Sequence, residues 1–204
     1  MLRLISSLAV ILSPAAFAQP SEATEPNNVL SVRLASTAGA PALGLGGLGG
    51  LGLLSVAPPG AGLSYERAFG HLSAVVALDA SGAFATQFES LSASLEPGLR
   101  WTFGDRRLSG PWVGVAVPLS VRRTSFRANT LNELGENVST RLTSTSFGLG
   151  LEALAGWSFR FDNGFFAQVA AGPRLAQQWG TGAAEVEPST SLGLRGFVAL
   201  GAAF

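Results

Sequence analysis

Over residues 91–103, large apolar and small or polar side chains exchange places at every step. Leu91, Ala93, Leu95, Pro97, Leu99, Trp101 and Phe103 fall on one side; Ser92, Ser94, Glu96, Gly98, Arg100 and Thr102 fall on the other. A period of two is the signature of a strand with a single apolar face. The same pattern recurs over 29–37, 60–69, 72–80, 112–124, 142–161, 165–178 and 191–204, so the sequence predicts eight strands. Between them no purely apolar run is long enough for a membrane helix. Hydrophobic residues nevertheless make up 47% of the chain and charged residues only 13%. Soluble chains carry about 25% charge. A chain that is apolar in sum but hides its apolarity in alternation fits a membrane-spanning sheet better than a soluble one.

The charges sharpen that expectation. Arg33, Glu66, Asp79, Glu96, Arg100, Arg122, Glu152, Arg174 and Arg195 all share the small-residue face. Turned towards lipid, each mid-depth Arg would cost about 2–4 kcal/mol. Turned inwards, they can pair with one another. An eight-stranded cylinder is only wide enough for side chains to fill it. The expected lumen is therefore plugged by a charge network formed by those nine residues.

The connections are expected to alternate: long (39–60), tight (70–71), medium (81–90), short (104–111), long (125–141), tight (162–164) and medium (179–190). Short periplasmic turns facing longer outer loops give this rhythm, and it places both chain ends on the periplasmic side. Asp162-Asn163-Gly164 is a strong hairpin signal. Phe69, Trp101, Phe103, Trp112, Trp157, Phe159, Phe161, Phe165 and Phe204 gather at the strand ends assigned to the periplasm, as an aromatic girdle would. Arg67, Arg106, Arg107 and Arg160 belong to that rim. Arg123, Arg127 and Arg141 belong to the opposite one, where either lipopolysaccharide phosphates or solvent would meet them.

Residues 1–18 read as an export signal: Arg3, an apolar stretch over 4–12, and Ala16-Phe17-Ala18 as a cleavage site. Residues 19–28 form a polar lead-in, and 29–204 the barrel. The Leu-Gly repeat at 43–53 contains Gly44, Gly46 and Gly49 in a dinucleotide-fingerprint spacing. That motif works only between a strand and a helix, and so glycine-rich a run disfavours the helix. A glycine-rich outer loop is the expectation.

All basic residues are Arg, with 13 acids against 13 bases, and there is no cysteine. Such a balance offers no basic surface for nucleic acid, and no disulfide or thiolate site. No His/Asp/Glu cluster has metal-ligand spacing, and no cofactor is expected. The sole histidine, His71, sits in a predicted turn near Ser73, with no carboxylate placed to orient its ring. No catalytic residue is assigned, and the chain is expected not to be an enzyme.

The signal segment, the alternating strands, the loop rhythm and the terminal aromatic Phe204 together resemble the small eight-stranded bacterial outer-membrane β-barrel proteins of OmpA-, OmpX- and OmpW-like architecture. The resemblance implies an all-β, antiparallel up-and-down transmembrane barrel in the cell outer membrane. It also implies Phe204 as an assembly signal read by the barrel-assembly machinery. Outer-membrane lipid and lipopolysaccharide are the expected surroundings, with the protein a monomer. The expected role is structural or surface interaction through the outer loops. A narrow channel for small solutes and a lipid-A-modifying enzyme are the alternatives.

Overall fold

The computed structural model describes residues 26–39, 55–56, 60–85, 88–104, 107–131, 137–182 and 188–204. The export signal (1–18), most of the lead-in, the Leu-Gly repeat with Gly44, Gly46 and Gly49, and Arg106 lie outside the described residues.

Among the described residues, ten antiparallel strands build the fold: β1 (Asn28–Gly39), β2 (Ser55–Val56), β3 (Gly60–Phe69), β4 (Leu72–Ala85), β5 (Phe88–Thr102), β6 (Gly110–Ala116), β7 (Leu119–Leu131), β8 (Asn137–Arg160), β9 (Phe165–Gly182) and β10 (Ser189–Ala203). They make eight staves. β6 and β7 are two halves of one stave, since both pair with β5 and both with β8. β2 only extends the end of β1 (Ala38↔Val56, Gly39↔Ser55). Each stave pairs with its sequence neighbour, and β1 pairs with β10 from Val29↔Ala203 to Gly39↔Gly193. Asn28 and Phe204 seal the seam by exchanging backbone bonds of 3.0 and 2.8 Å. The result is an eight-stranded up-and-down barrel, and closure leaves no free sheet edge.

The structure revises several boundaries. The fifth predicted strand (112–124) is broken at Val117–Pro118 because proline has no N–H for the ladder. Val117 N still donates to Pro97 O, and Gly150 N to Pro118 O, both at 2.9 Å. The predicted loops 81–90, 125–141 and 179–190 are largely strand, since β4, β5, β7, β8 and β9 run on into them. They carry only scattered aromatics, such as Phe84, Phe126 and Trp179, among Ser, Thr, Asn, Gln and Glu, so the apolar alternation thins there. A ribbon that stands largely in water has no continuous apolar face to hide. The alternation of long and tight connections is correspondingly weaker, because only 86–87 separates β4 from β5.

At the chain-terminus end, the connections at 70–71 and 161–164 are turns. In the β8–β9 turn, Gly164 has φ 81°, a left-handed conformation that a Cβ would strain. There Asn163 Oδ1 accepts from Phe165 N at 3.0 Å.

Across the wall the alternation sorts side chains as a barrel requires. Leu63, Leu78, Leu95, Leu99, Val115, Leu151, Leu194 and Leu200 are exposed on the outside. Arg33, Glu66, Glu96, Arg100, Glu152 and Arg195 are buried inside. On β5 the outward apolar run from Leu91 to Trp101 covers about 34 Å along the strand, or roughly 25 Å of height at a usual tilt near 40°. That is about the height of a hydrocarbon-facing band.

Candidate functional site: a layered lumen between two rims

The interior is filled in layers. At the terminus end, Val29, Ala68, Leu108 and Phe166 form an apolar cap. Three of them sit on strand ends. Leu108 comes from the 103–109 turn and adopts φ 61°. A left-handed leucine costs roughly 1–2 kcal/mol. Burying its side chain, here 2% exposed, contributes about 1.5–3 kcal/mol in return.

Next, Arg100 pairs with Glu66 and donates from Nη2 to Gln168 Oε1 at 3.1 Å. Gln168 in turn donates to Ser158 Oγ at 2.8 Å. The Arg100 guanidinium lies 3.9 Å from the centroid of the Trp112 ring, which stacks on Phe197 at 6.3 Å. Arg33 covers Phe197 at 5.2 Å. An arginine–aromatic–aromatic–arginine stack therefore crosses the barrel, and cation–π attraction between such desolvated groups strengthens it.

Arg33 and Arg195 then share two carboxylates. Arg33 Nε donates to Asp79 Oδ1 at 2.6 Å, and the same guanidinium also pairs with Glu96. Arg195 Nη2 meets both Asp79 Oδ2 and Glu96 Oε1 at 2.6 Å. Ser94 Oγ supports Glu96 at 3.1 Å. Beyond them lies Glu152, 0% exposed, with Arg174 at 3.1 Å and Arg195 at 3.6 Å. Charge attraction holds Glu152, since no aligned hydrogen bond reaches its oxygens among the described residues.

A cavity of about 30 Å³ beside the stack is lined by Arg33, Glu96, Arg100, Trp112, Leu154 and Phe197. A space of that size among polar groups can hold ordered water.

Two sequence expectations are corrected here. Trp112 does not belong to the exterior girdle. It is 2% exposed and points into the barrel, because the β6 register opposes it to Gly156 and gives its indole room. A Cβ built on Gly156 would lie 2.6 Å from that ring. Arg122 does not enter the ion-pair network. It stands exposed towards the loop end, opposite Ser92 and Ser146, and makes no ion pair among the described residues.

The remaining aromatics of the proposed girdle, Phe69, Trp101, Phe103, Trp157, Phe159, Phe161, Phe165 and Phe204, are exposed near the terminus end. Arg67 packs its guanidinium 5.5 Å from the Phe69 ring, and Arg107 donates to Asn27 Oδ1 at 2.8 Å. His71 stacks on Trp101 at 5.7 Å, with Nδ1 3.2 Å from the Thr102 carbonyl. Ser73 is buried inside the barrel, so the exposed ring and the hydroxyl do not form a nucleophile–base pair.

Three features escaped the sequence reading. Leu108 and its cap depend on a turn conformation that no residue pattern announces. Phe197 stands out in sequence as the one bulky residue on the small face of the last strand, but its partner Trp112 lies on a distant stave. The third is a second level of exposed aromatics, Phe84, Phe147 and Trp179, towards the loop end. Phe147 and Trp179 are cross-strand neighbours. Phe147 already falls on the predicted strand 142–161, and continuing the alternation into the predicted loops reaches Phe84 and Trp179.

No family model matches the chain, and no curated protein does. Among solved structures, it is similar to Ail, the attachment invasion locus protein of Yersinia pestis. The two share 13% identity over 89% of this chain and 100% of that one, with a TM-score of 0.46. It is similar to Neisserial surface protein A, at 17% identity over 86% and 97% of the two chains and a TM-score of 0.47. It is also similar to the outer membrane protein AlkL, at 12% identity over 92% and 93%, with a TM-score of 0.40.

Proposed function

We propose that this chain is a non-catalytic barrel of the bacterial outer membrane, closed to solutes, that holds its loop-end hairpins at the cell surface. One observation carries the reading: leucine, valine and aromatic side chains are exposed all around the outer wall, while Arg33, Glu66, Asp79, Glu96, Arg100, Glu152 and Arg195 at mid-height are sealed within. Soluble monomers rarely expose contiguous apolar patches above a few hundred Å². Such a wall needs hydrocarbon against it. In the same picture Phe204, exposed beside the seam, is the signal offered to the assembly machinery, and outer-membrane lipid is the principal partner.

A structural or surface-interactive role is supported by how the lumen is filled among the described residues. The apolar cap, the aromatic–arginine stack and the carboxylate layer lie one after another along its axis. Two experiments test this. Fractionation with heat-modifiable migration on detergent gels should recover a folded barrel from outer membranes; recovery as a soluble periplasmic protein would overturn the reading. The refolded chain in planar bilayers should give no conductance steps. Steady single-channel currents would replace the closed barrel with the narrow-channel alternative.

A further inference from the structure

Outside the barrel, at the base of the β7–β8 hairpin, three arginines share one face. Arg127 and Arg141 are directly opposed cross-strand partners, and Arg123 lies two positions beyond Val121 on the same outward face. Like charges directly opposite across a strand pair destabilise it. One carboxylate answers them: Glu89, paired with Arg141 at 2.5 Å, both groups being about half exposed. Among the described residues that leaves two positive charges in excess.

Their height is equally specific. Val121 opposes Phe147, the next outward pair is Arg123 with Thr145, and Arg127 with Arg141 comes two outward pairs later. The outer face thus changes from apolar to basic within one step, about 7 Å along the strand. Glu89, which holds the Arg141 guanidinium, is the cross-strand partner of Phe84, so the ion pair stands at the height of that exposed ring. Aromatic rings of this kind mark the membrane–water boundary.

We propose that Arg123, Arg127 and Arg141 form a site for the phosphomonoester headgroup of a lipid in the surrounding leaflet. A phosphomonoester carries about −1.5 to −2 charges near neutral pH, matching the excess. Its oxygens suit guanidinium forks. The lipid's acyl chains would continue down the wall over Val121, Phe147 and Leu91. Phosphate between Arg127 and Arg141 would also remove the repulsion that the bare pair suffers. This inference rests on the membrane reading above.

The test titrates the refolded full-length chain, in detergent, with bis-phosphorylated lipid A, the same lipid stripped of phosphate, and inorganic phosphate. The phosphorylated lipid should bind at least roughly tenfold more tightly than the stripped one. Inorganic phosphate should not displace it at equal concentration. R127S and R141S should each erase most of that preference, and Glu89→Gln should tighten binding several-fold by removing the competing carboxylate. Arg67→Ser, at the opposite rim, should leave binding unchanged.

R127S and R141S should fold as well as the parent without lipid A, since each relieves the opposed pair; heat-modifiable migration checks this, and Arg127→Gln serves if either does not. Equal affinity for both lipids, or an undiminished preference in R127S and R141S, would overturn the proposal. Displacement by inorganic phosphate as effective as by lipid A would show a soluble-anion site and overturn the lipid assignment. Failure of binding by a chain that still fractionates with outer membranes sinks only this inference. Failure to fractionate there sinks the membrane reading instead.

Discussion

Arg195 on the last strand donates to Asp79, 116 residues earlier on β4, at 2.6 Å across the barrel axis. The same aspartate accepts from Arg33, so one carboxylate ties three staves together. Removing it leaves two buried guanidinium groups to share Glu96, with Glu152 only at 3.6 Å from Arg195. Breaking a buried pair from one side costs about 3–5 kcal/mol. Asp79→Ala is therefore expected to lower unfolding free energy by about that much, measured by urea titration in lipid vesicles. Combining it with Arg195→Ala should cost less than the sum of the two single changes; strict additivity would mean the bond contributes nothing.

The four tryptophans divide between two environments. Trp101, Trp157 and Trp179 are exposed on the wall, whereas Trp112 is enclosed beside Phe197. Single-tryptophan variants in vesicles of brominated lipid should show strong quenching for the first three. Trp112 should be spared by brominated lipid and by aqueous acrylamide alike. Trp112→Ala should cost about 3–5 kcal/mol, as truncating a large buried aromatic does.

Gly156 and Gly164 are both needed, for different reasons. Gly156→Val places a side chain against the Trp112 ring and the Val169 carbonyl, so it should prevent refolding, read as loss of heat-modifiable migration. Gly164→Ala brings a Cβ to 3.3 Å from the Ala203 carbonyl at a left-handed φ, and should cost only about 1–2 kcal/mol in the same vesicle titration.

Outward position also makes a prediction. Leu95 lies on the exterior midway along β5, next to the inward-facing Ser94. In a bilayer, Leu95→Arg should destabilise the barrel by about 2–4 kcal/mol. The penalty should shrink in detergent micelles, where water reaches the wall more easily. An equal penalty in both solvents would argue that this face does not meet hydrocarbon.

Much of this protein was legible residue by residue. Alternation alone gave the eight staves and told which side of each would hold Leu and Val and which would hold Arg and Glu, because a strand's side-chain period is fixed at two. The DNG turn before Phe165 was equally plain, since few residues tolerate positive φ. The outer hairpins were not legible: Ser, Thr and Arg on both faces of β7 and β8 look like loop when no apolar face must be hidden. Trp112 departs from expectation for a different reason. Its place at a strand end suggests the girdle, but it shares the face of Gly114 and Ala116, and Gly156 opposite leaves room for its indole.

The sequence by itself determined a closed sheet and the composition of its two faces, because both follow from local periodicity and the cost of charge in lipid. Which charges meet was decided only by the tertiary structure. Arg195 finds Asp79 and Glu96, Arg174 finds Glu152, and Arg122 stays apart, because partner choice across a lumen depends on stagger between staves. The Leu108 cap and the opposed Arg127–Arg141 pair arise in the same way. The left-handed turn at Leu108 and the strand register are properties of the assembled ring, and no local pattern encodes them.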